Sequence, residues 1–141
     1  MLIRNLQYDD YNKNYLELLE QLTIVNKENI SQVFFNEFID NLNNNHKIMV
    51  LEENNKIIAT GTLLIENKLI HGISKVGHIE DIVVDKSCRG KGIGKKIISF
   101  LIDEAEKNKC YKVILNCKKN FIKFYENCDL IVNEIQMVKY F

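Results

Sequence analysis

The run from Gly77 to Lys96, Gly-His-Ile-Glu-Asp-Ile-Val-Val-Asp-Lys-Ser-Cys-Arg-Gly-Lys-Gly-Ile-Gly-Lys-Lys, constrains this chain more than any other stretch. Gly77 to Val84 is apolar and β-branched, and predicts a strand. A turn holding Gly90, Gly92 and Gly94 follows. After it, Ile93, Ile97, Ile98, Leu101, Ile102 and Ala105 recur on one helical face up to about Asn108. A strand that runs through a glycine turn into a helix leaves backbone N–H groups unobstructed where the helix dipole favours an anion. Lys86, Arg89, Lys91, Lys95 and Lys96 ring the turn with no acid among them. The segment is a pyrophosphate cradle.

Spacing excludes two common phosphate loops. A Walker loop needs Ser or Thr after its Gly-Lys, but Arg89 stands five residues before Gly94 and Lys96 follows Lys95. A dinucleotide fingerprint has GxGxxG after the first strand, whereas this chain has GxGxG after several.

Nineteen Lys and Arg balance nineteen Asp and Glu, which argues against a nucleic-acid binder. No apolar run reaches the roughly 18–20 residues of a membrane span. Met1-Leu2-Ile3-Arg4-Asn5 lacks the features of a signal peptide, so a soluble cytoplasmic protein is expected. Cys88, Cys110, Cys117 and Cys128 form no CxxC pair, and His46, His71 and His78 show no zinc spacing. Reduced thiols and no metal are expected. At 141 residues the chain is expected to form one domain, residues 1–141. In so lysine-rich a sequence, Arg4 and Arg89, its two arginines, draw attention.

The remaining pattern predicts a first strand at Leu2–Leu6 and a helix from Asp9 to Leu22, capped by Asp9 or Asp10. A second helix starts at Ser31 and ends in Asn43-Asn44-Asn45. His46–Glu52 and Lys56–Ile65 read as a hairpin, Tyr111–Cys117 as a buried strand, Phe121–Asn127 as a short helix and Leu130–Tyr140 as a final strand. The order β-α-α-β-β-β-α-β-α-β is that of an α/β domain with a mixed sheet.

The Arg-Gly-x-Gly-x-Gly turn, followed by a strand and a Tyr-bearing helix, resembles the acyl-CoA loop of the GNAT N-acetyltransferases. Lys68-Leu-Ile-His71, Gly77 to Val84, Cys110-Tyr-Lys-Val-Ile-Leu115, Phe124-Tyr-Glu126 and Gln21-Leu-Thr-Ile-Val25 are similar to the glucosamine 6-phosphate N-acetyltransferase branch. The similarity spans about residues 15–140. It implies the GNAT fold, a mixed twisted sheet flanked by helices, with acetyl-CoA between two splayed strands. It also implies acetyl transfer to the amine of glucosamine 6-phosphate by direct attack, feeding amino-sugar nucleotide synthesis, in a homodimer.

The resemblance assigns residues to roles. Ile82, Val83 and Val84 would offer backbone to the acyl arm. Arg89, Gly90, Lys91, Gly92, Ile93, Gly94 and Lys95 would hold the pyrophosphate, and Tyr125, Glu126 and Asn127 would lie along the thiol end. Tyr125 would donate a proton to the leaving thiolate. Thr23, Lys68, Leu69, Ile70, His71, Tyr111, Lys112 and Lys139 would surround the sugar phosphate. Of Glu80 and Asp81, one would face the amine and the other would hold sugar hydroxyls or structure, with Ile82 and Asn116 beside them. Strand alternation predicts that Glu80 and Asp81 point to opposite faces.

The chain departs from the family at several points. Asn116 stands where the family carries Asp or Glu, Phe121 where it carries Asn, and Asp129 where it carries Gly. Lys139 or Tyr140 replaces an Arg. Two alternatives stay open: a GNAT enzyme acting on another amine (peptide, polyamine or other sugar), and a non-catalytic acyl-CoA-binding module.

Overall fold

The computed structural model describes residues 2–141 and forms one five-stranded sheet in sequence order: β1 (Leu2–Asn5), β2 (His46–Glu53), β3 (Lys56–Lys68), β4 (Ser74–Val84) and β5 (Lys112–Ile114). β1 to β4 are antiparallel, and β5 lies parallel to β4. The helices are α1 (Tyr15–Glu20), α2 (Gln32–Asp40), the single turn α3 (Ile70–Ile73), α4 (Ile93–Lys107) and α5 (Ile122–Glu126). This is the expected mixed sheet flanked by helices.

Local chemistry sets the joints. Asn54 and Asn55 are both left-handed, at φ 51° and 59°, and make the tight turn of the β2–β3 hairpin. Ser31 caps α2 as predicted, its Oγ accepting from Phe34 N at 3.2 Å. α4 buries Ile97, Ile98 and Leu101 against Leu63, Ile65 and Ile79 on one face of the sheet. On the other face, Tyr15, Leu16, Leu18 and Phe35 from the first two helices cover Val50, Ile57 and Val83. Two apolar layers thus sandwich the β1–β4 end of the sheet.

Five predictions need correction. The helix expected over Asp9–Leu22 is broken into a 3-10 turn (Tyr8–Asn12) and α1, because Asn14 turns left-handed at φ 61°. Asp10 is not an N-cap residue, since Gln7 holds that place for the turn and Asn14 for α1. It is fully buried inside the turn, where it accepts both Arg4 Nη groups at 2.8 and 2.7 Å and the Gln7 amide at 2.8 Å. Glu52 also binds Arg4, so Arg4 is structural. The second helix stops at Asp40, short of the asparagine run.

At the far edge, β5 holds three residues rather than seven, and Lys112 and Ile114 are exposed. Residues 130–140 form no strand: Ile131, Ile135 and Met137 are 84, 92 and 93% exposed. A strand needs a ladder, and β5 ends too early to give this segment one within its own chain.

Candidate active site

Gly61 lies opposite the centre of the site. Thr60 pairs with Val83 and Thr62 with Glu80, so Gly61 alone faces two residues, Asp81 and Ile82. That extra residue is a β-bulge in β4, and Asp81 takes it up at φ 53°. The bulge turns Ile82 over Gly61, where a Cβ would overlap Ile82 Cδ1. Before the bulge, Gly77 and Ile79 face α4. After it, Ile82 and Val84 do. Glu80 points to the opposite face, and Asp81 lies close enough to Tyr15 to act on its hydroxyl. Glu80 and Asp81 are both exposed, and simple strand alternation does not carry through the bulge between them and Ile82.

Tyr15 lies beneath them, 5% exposed, with its ring edge-on to Phe35 at 5.8 Å. Burial pushes its hydroxyl up to about 12, against the opposing influence of Thr60 and with help from Asp81 and Asp10. It stays a neutral phenol.

β4 and β5 part at the same place. Their ladder runs only from Val76–Lys112 to His78–Ile114, and Ile79 to Val84 have no strand partner on that side. The opening leaves the Ile82, Val83 and Val84 backbone without a strand partner on that edge, a template for an extended amide chain. Asn116 is exposed just beyond the end of β5.

The glycine turn closes the end of this opening. Gly90 and Gly92 adopt φ 77° and 76°, and nothing lies within 4 Å of a Cβ placed at either. Backbone conformation, not space, demands glycine there. At Gly94 the demand is close packing, since a Cβ would sit 3.1 Å from Phe124 Cζ. Lys86, Arg89, Lys91, Lys95 and Lys96 are all exposed around the turn, and Arg89 Nε donates to Val84 O at 3.0 Å. Ile93 is buried beneath it as the first residue of α4.

Asp85 anchors the approach to the turn. Buried at 5% exposure, it accepts from Ser87 N at 2.9 Å, Ser87 Oγ at 2.7 Å and Lys56 Nζ at 2.9 Å. Lys56 and the two Ser87 donors hold its carboxyl far below the usual range. Gln21 adds a strap from α1, accepting from Lys86 N at 2.9 Å and donating to Asp85 Oδ2 at 3.5 Å. Sequence reasoning assigned no role to Gly61, Asp85, Gln21 or Tyr15. An isolated glycine within a strand pattern is the one available signal of the bulge.

On α5, Tyr125 is half-buried, with its ring 5.0 Å from Phe124. Burial, then the nearby Cys117 and Cys128, push its hydroxyl up. A phenol held protonated is suited to giving a proton to a thiolate. Glu126 and Asn127 follow on the exposed side, as does Phe121, with Asn120 exposed beside it.

The expected sugar-phosphate residues are not all together. The His71 ring centre lies 4.7 Å from that of Tyr111 with the rings tilted by 45°, and Lys112 Nζ lies 5.5 Å from the Tyr111 ring centre. This cluster adjoins Val76, four residues before Glu80, or roughly 13 Å along the strand. Lys68 Nζ is 3.0 Å from Glu66, while Leu69 and Ile70 are exposed at the turn between β3 and β4. Thr23 lies on another groove beside Glu20, Ile24 and Val25. Lys139 sits in the exposed C-terminal segment, 5.4 Å from the Phe141 ring centre.

Comparison with known proteins decides the family. The model of the acetyltransferase (GNAT) family matches residues 3–129. The glucosamine 6-phosphate N-acetyltransferase of Arabidopsis thaliana is 44% identical, covering 99% of this chain and 95% of that relative. The enzyme of the same name from Candida albicans is 40% identical over 96% of this chain and 92% of its own. The crystal structure of the Arabidopsis thaliana glucosamine-6-phosphate N-acetyltransferase superposes with a TM-score of 0.95 at 41% identity, covering 99 and 97% of the two chains. The chain belongs to the glucosamine 6-phosphate N-acetyltransferases of the GNAT family.

GNAT acetyltransferases use acetyl-CoA, and this member carries the features such a donor needs. The open β4 edge suits its pantetheine amides, and the turn from Arg89 to Lys95 suits its pyrophosphate. Tyr125 stands on the helix packed against that turn through Phe124 and Gly94. Among the described residues, no helix is long and apolar enough to cross a membrane.

Proposed function

We propose that this chain transfers the acetyl group of acetyl-CoA to the amine of glucosamine 6-phosphate, giving N-acetylglucosamine 6-phosphate and CoA. The observation that carries the reading is the bulge at Asp81. It sets two exposed carboxylates next to each other beside the mouth of the β4–β5 opening. Acetyl-CoA supplies the acyl thioester. Glu80 and Asp81 hold the sugar amine and hydroxyls at that mouth, which turns a bimolecular encounter into a positioned attack.

Backbone N–H groups around Ile82–Val84 receive the oxygen of the tetrahedral intermediate. As the C–S bond breaks, Tyr125 gives its proton to sulfur and regains one from the nitrogen through solvent. Lys112, with His71 and Tyr111, offers a cationic and aromatic surface for the 6-phosphate.

We infer further that the enzyme works as a homodimer in the cytoplasm, upstream of UDP-N-acetylglucosamine. The His71–Lys112 cluster lies far from Glu80 in one chain, and residues 131–141 leave an apolar strand-like segment unpaired. Exchange of that segment onto the open edge of a partner's sheet accounts for both, with one subunit supplying phosphate contacts to the other's amine site.

Initial-rate kinetics test the sugar site. Lys112→Ala raises KM for the phosphorylated sugar about 10-fold or more, the worth of a charge-assisted hydrogen bond, and leaves KM for acetyl-CoA within about twofold. An equal rise in both removes Lys112 from the site.

A further inference from the structure

The sheet face that carries Glu80 holds a second polar group that the mechanism above leaves idle. Gly77 and Ile79 face α4, so His78 and Glu80 lie together on the opposite face, about 7 Å apart along the strand. His78 is also the last β4 residue paired with β5 before the two strands part. Its backbone thus stands where the opening begins, on the face from which Glu80 would hold an amine, while its ring leans toward β3. His78 is half-buried, with Nε2 2.8 Å from Glu66 Oε2 on β3.

The Glu66 carboxylate is itself held ionised, chiefly by Lys68 at 3.0 Å and then by His78. A carboxylate only accepts, so Nε2 donates to Glu66, and in the neutral ring Nδ1 is the nitrogen that can take a proton. Glu66 touches the ring, and the other titratable or charged groups on neighbouring strand positions are Lys68 from β3, Glu80 from β4, Lys112 from β5 beside Val76, and His46 from β2, which pairs with the β3 partner of His78. From β5 its direct neighbour is the apolar Ile114, and the next residue on that side, Asn116, is an amide that takes no proton.

We propose that His78, oriented by Glu66, accepts the proton that the sugar ammonium loses before attack. The proposal rests on the acetyl-transfer reading above. An N–H bond of the ammonium breaks and an Nδ1–H bond forms, directly or through one bridging water. The freed lone pair then makes the C–N bond as the carbonyl pair moves onto oxygen. The C–S pair leaves with sulfur, which takes the Tyr125 proton, and the second nitrogen proton restores Tyr125. The imidazolium releases its proton to solvent, which balances the single proton that the overall reaction yields. Glu66 acts only through the ring, so it is a positioning residue.

The test is the pH dependence of kcat for the full chain with acetyl-CoA and glucosamine 6-phosphate, for wild type, His78→Gln, Glu66→Gln and His78→Gln/Asn116→Asp. A positioned base contributes about 10²-fold or more. His78→Gln lowers kcat by that factor, flattens the acid limb of the profile, and leaves KM for acetyl-CoA within twofold. Glu66→Gln lowers kcat less and keeps the limb. Asn116→Asp, which puts a carboxylate beside the same opening, returns at least tenfold to the His78→Gln enzyme.

An equal CoA-induced rise in Tm for every variant shows that each is folded. A His78→Gln kcat within twofold of wild type overturns the proposal. So does a fall that leaves the acid limb unchanged and is not rescued by Asn116→Asp. If wild type acetylates only another amine, the sugar reading falls and the same series with that amine decides on His78. If wild type acetylates nothing, both fall.

Discussion

A methyl group added at Gly61 would overlap Ile82 Cδ1 and come within 2.9 Å of Leu101 Cδ1. Gly61→Ala therefore costs about 1–3 kcal/mol of stability, measured by denaturant unfolding, because a packed core must shift to admit it. Its partner in the bulge makes a separate demand. At φ 53°, Asp81 occupies a backbone region that Asn shares with Asp and that β-branched residues avoid. Asp81→Asn keeps the fold, with a Tm near that of wild type, yet raises KM for the sugar. Asp81→Val lowers both Tm and activity. Equal Tm values for the two variants would show that the bulge does not depend on this residue. Tyr125→Phe lowers kcat and spares KM for acetyl-CoA, since its hydroxyl acts on the leaving thiolate.

Among elements, the turn from Asp85 to Gly94 shows how local structure becomes a binding site. Gly92→Ala costs about 1–2 kcal/mol for a side chain at positive φ and raises KM for acetyl-CoA. Asp85 fastens the turn to β3 and α1, and its depressed carboxyl gives that fastening a pH dependence. A lowered folded-state pKa contributes stability that is fully present above the ordinary carboxylate range, about pH 4, and is lost as pH falls further. The wild-type Tm should fall below that pH more steeply than the Asp85→Asn Tm, and the variant should already be less stable at neutral pH. Parallel curves would remove Asp85 from this role.

Periodicity made the glycine turn and α4 legible, because each depends on residues close in sequence. The bulge was not, since strand alternation carries no record of one extra residue. The break at Asn14 was hidden for a similar reason. Arg4 and Glu52 draw Asp10 into a buried cluster from distant strands.

At the scale of the whole molecule, the α4 face and the α1–α2 face close around the sheet without help from residues 131–141. A chain ending at Leu130 should therefore fold, but sediment as a monomer and lose turnover with glucosamine 6-phosphate. A truncated chain that stays dimeric would contradict the strand exchange. The apolar pattern of Leu130–Tyr140 reads as a strand because it is suited to a ladder, and one chain offers none. That is also why the sugar-phosphate residues, matched one by one in sequence, fall into separate places in the monomer.

The identity of the acceptor is decided by product analysis. Mass spectrometry would follow acetyl-CoA with glucosamine 6-phosphate, glucosamine or a peptide amine, avoiding thiol dyes that the four cysteines would confuse. The expected product is N-acetylglucosamine 6-phosphate in many turnovers per chain, with the unphosphorylated sugar and the peptide left essentially unmodified. Acetylation of the peptide in preference to the sugar phosphate, or a CoA-induced rise in Tm with no acetylated product, would contradict it.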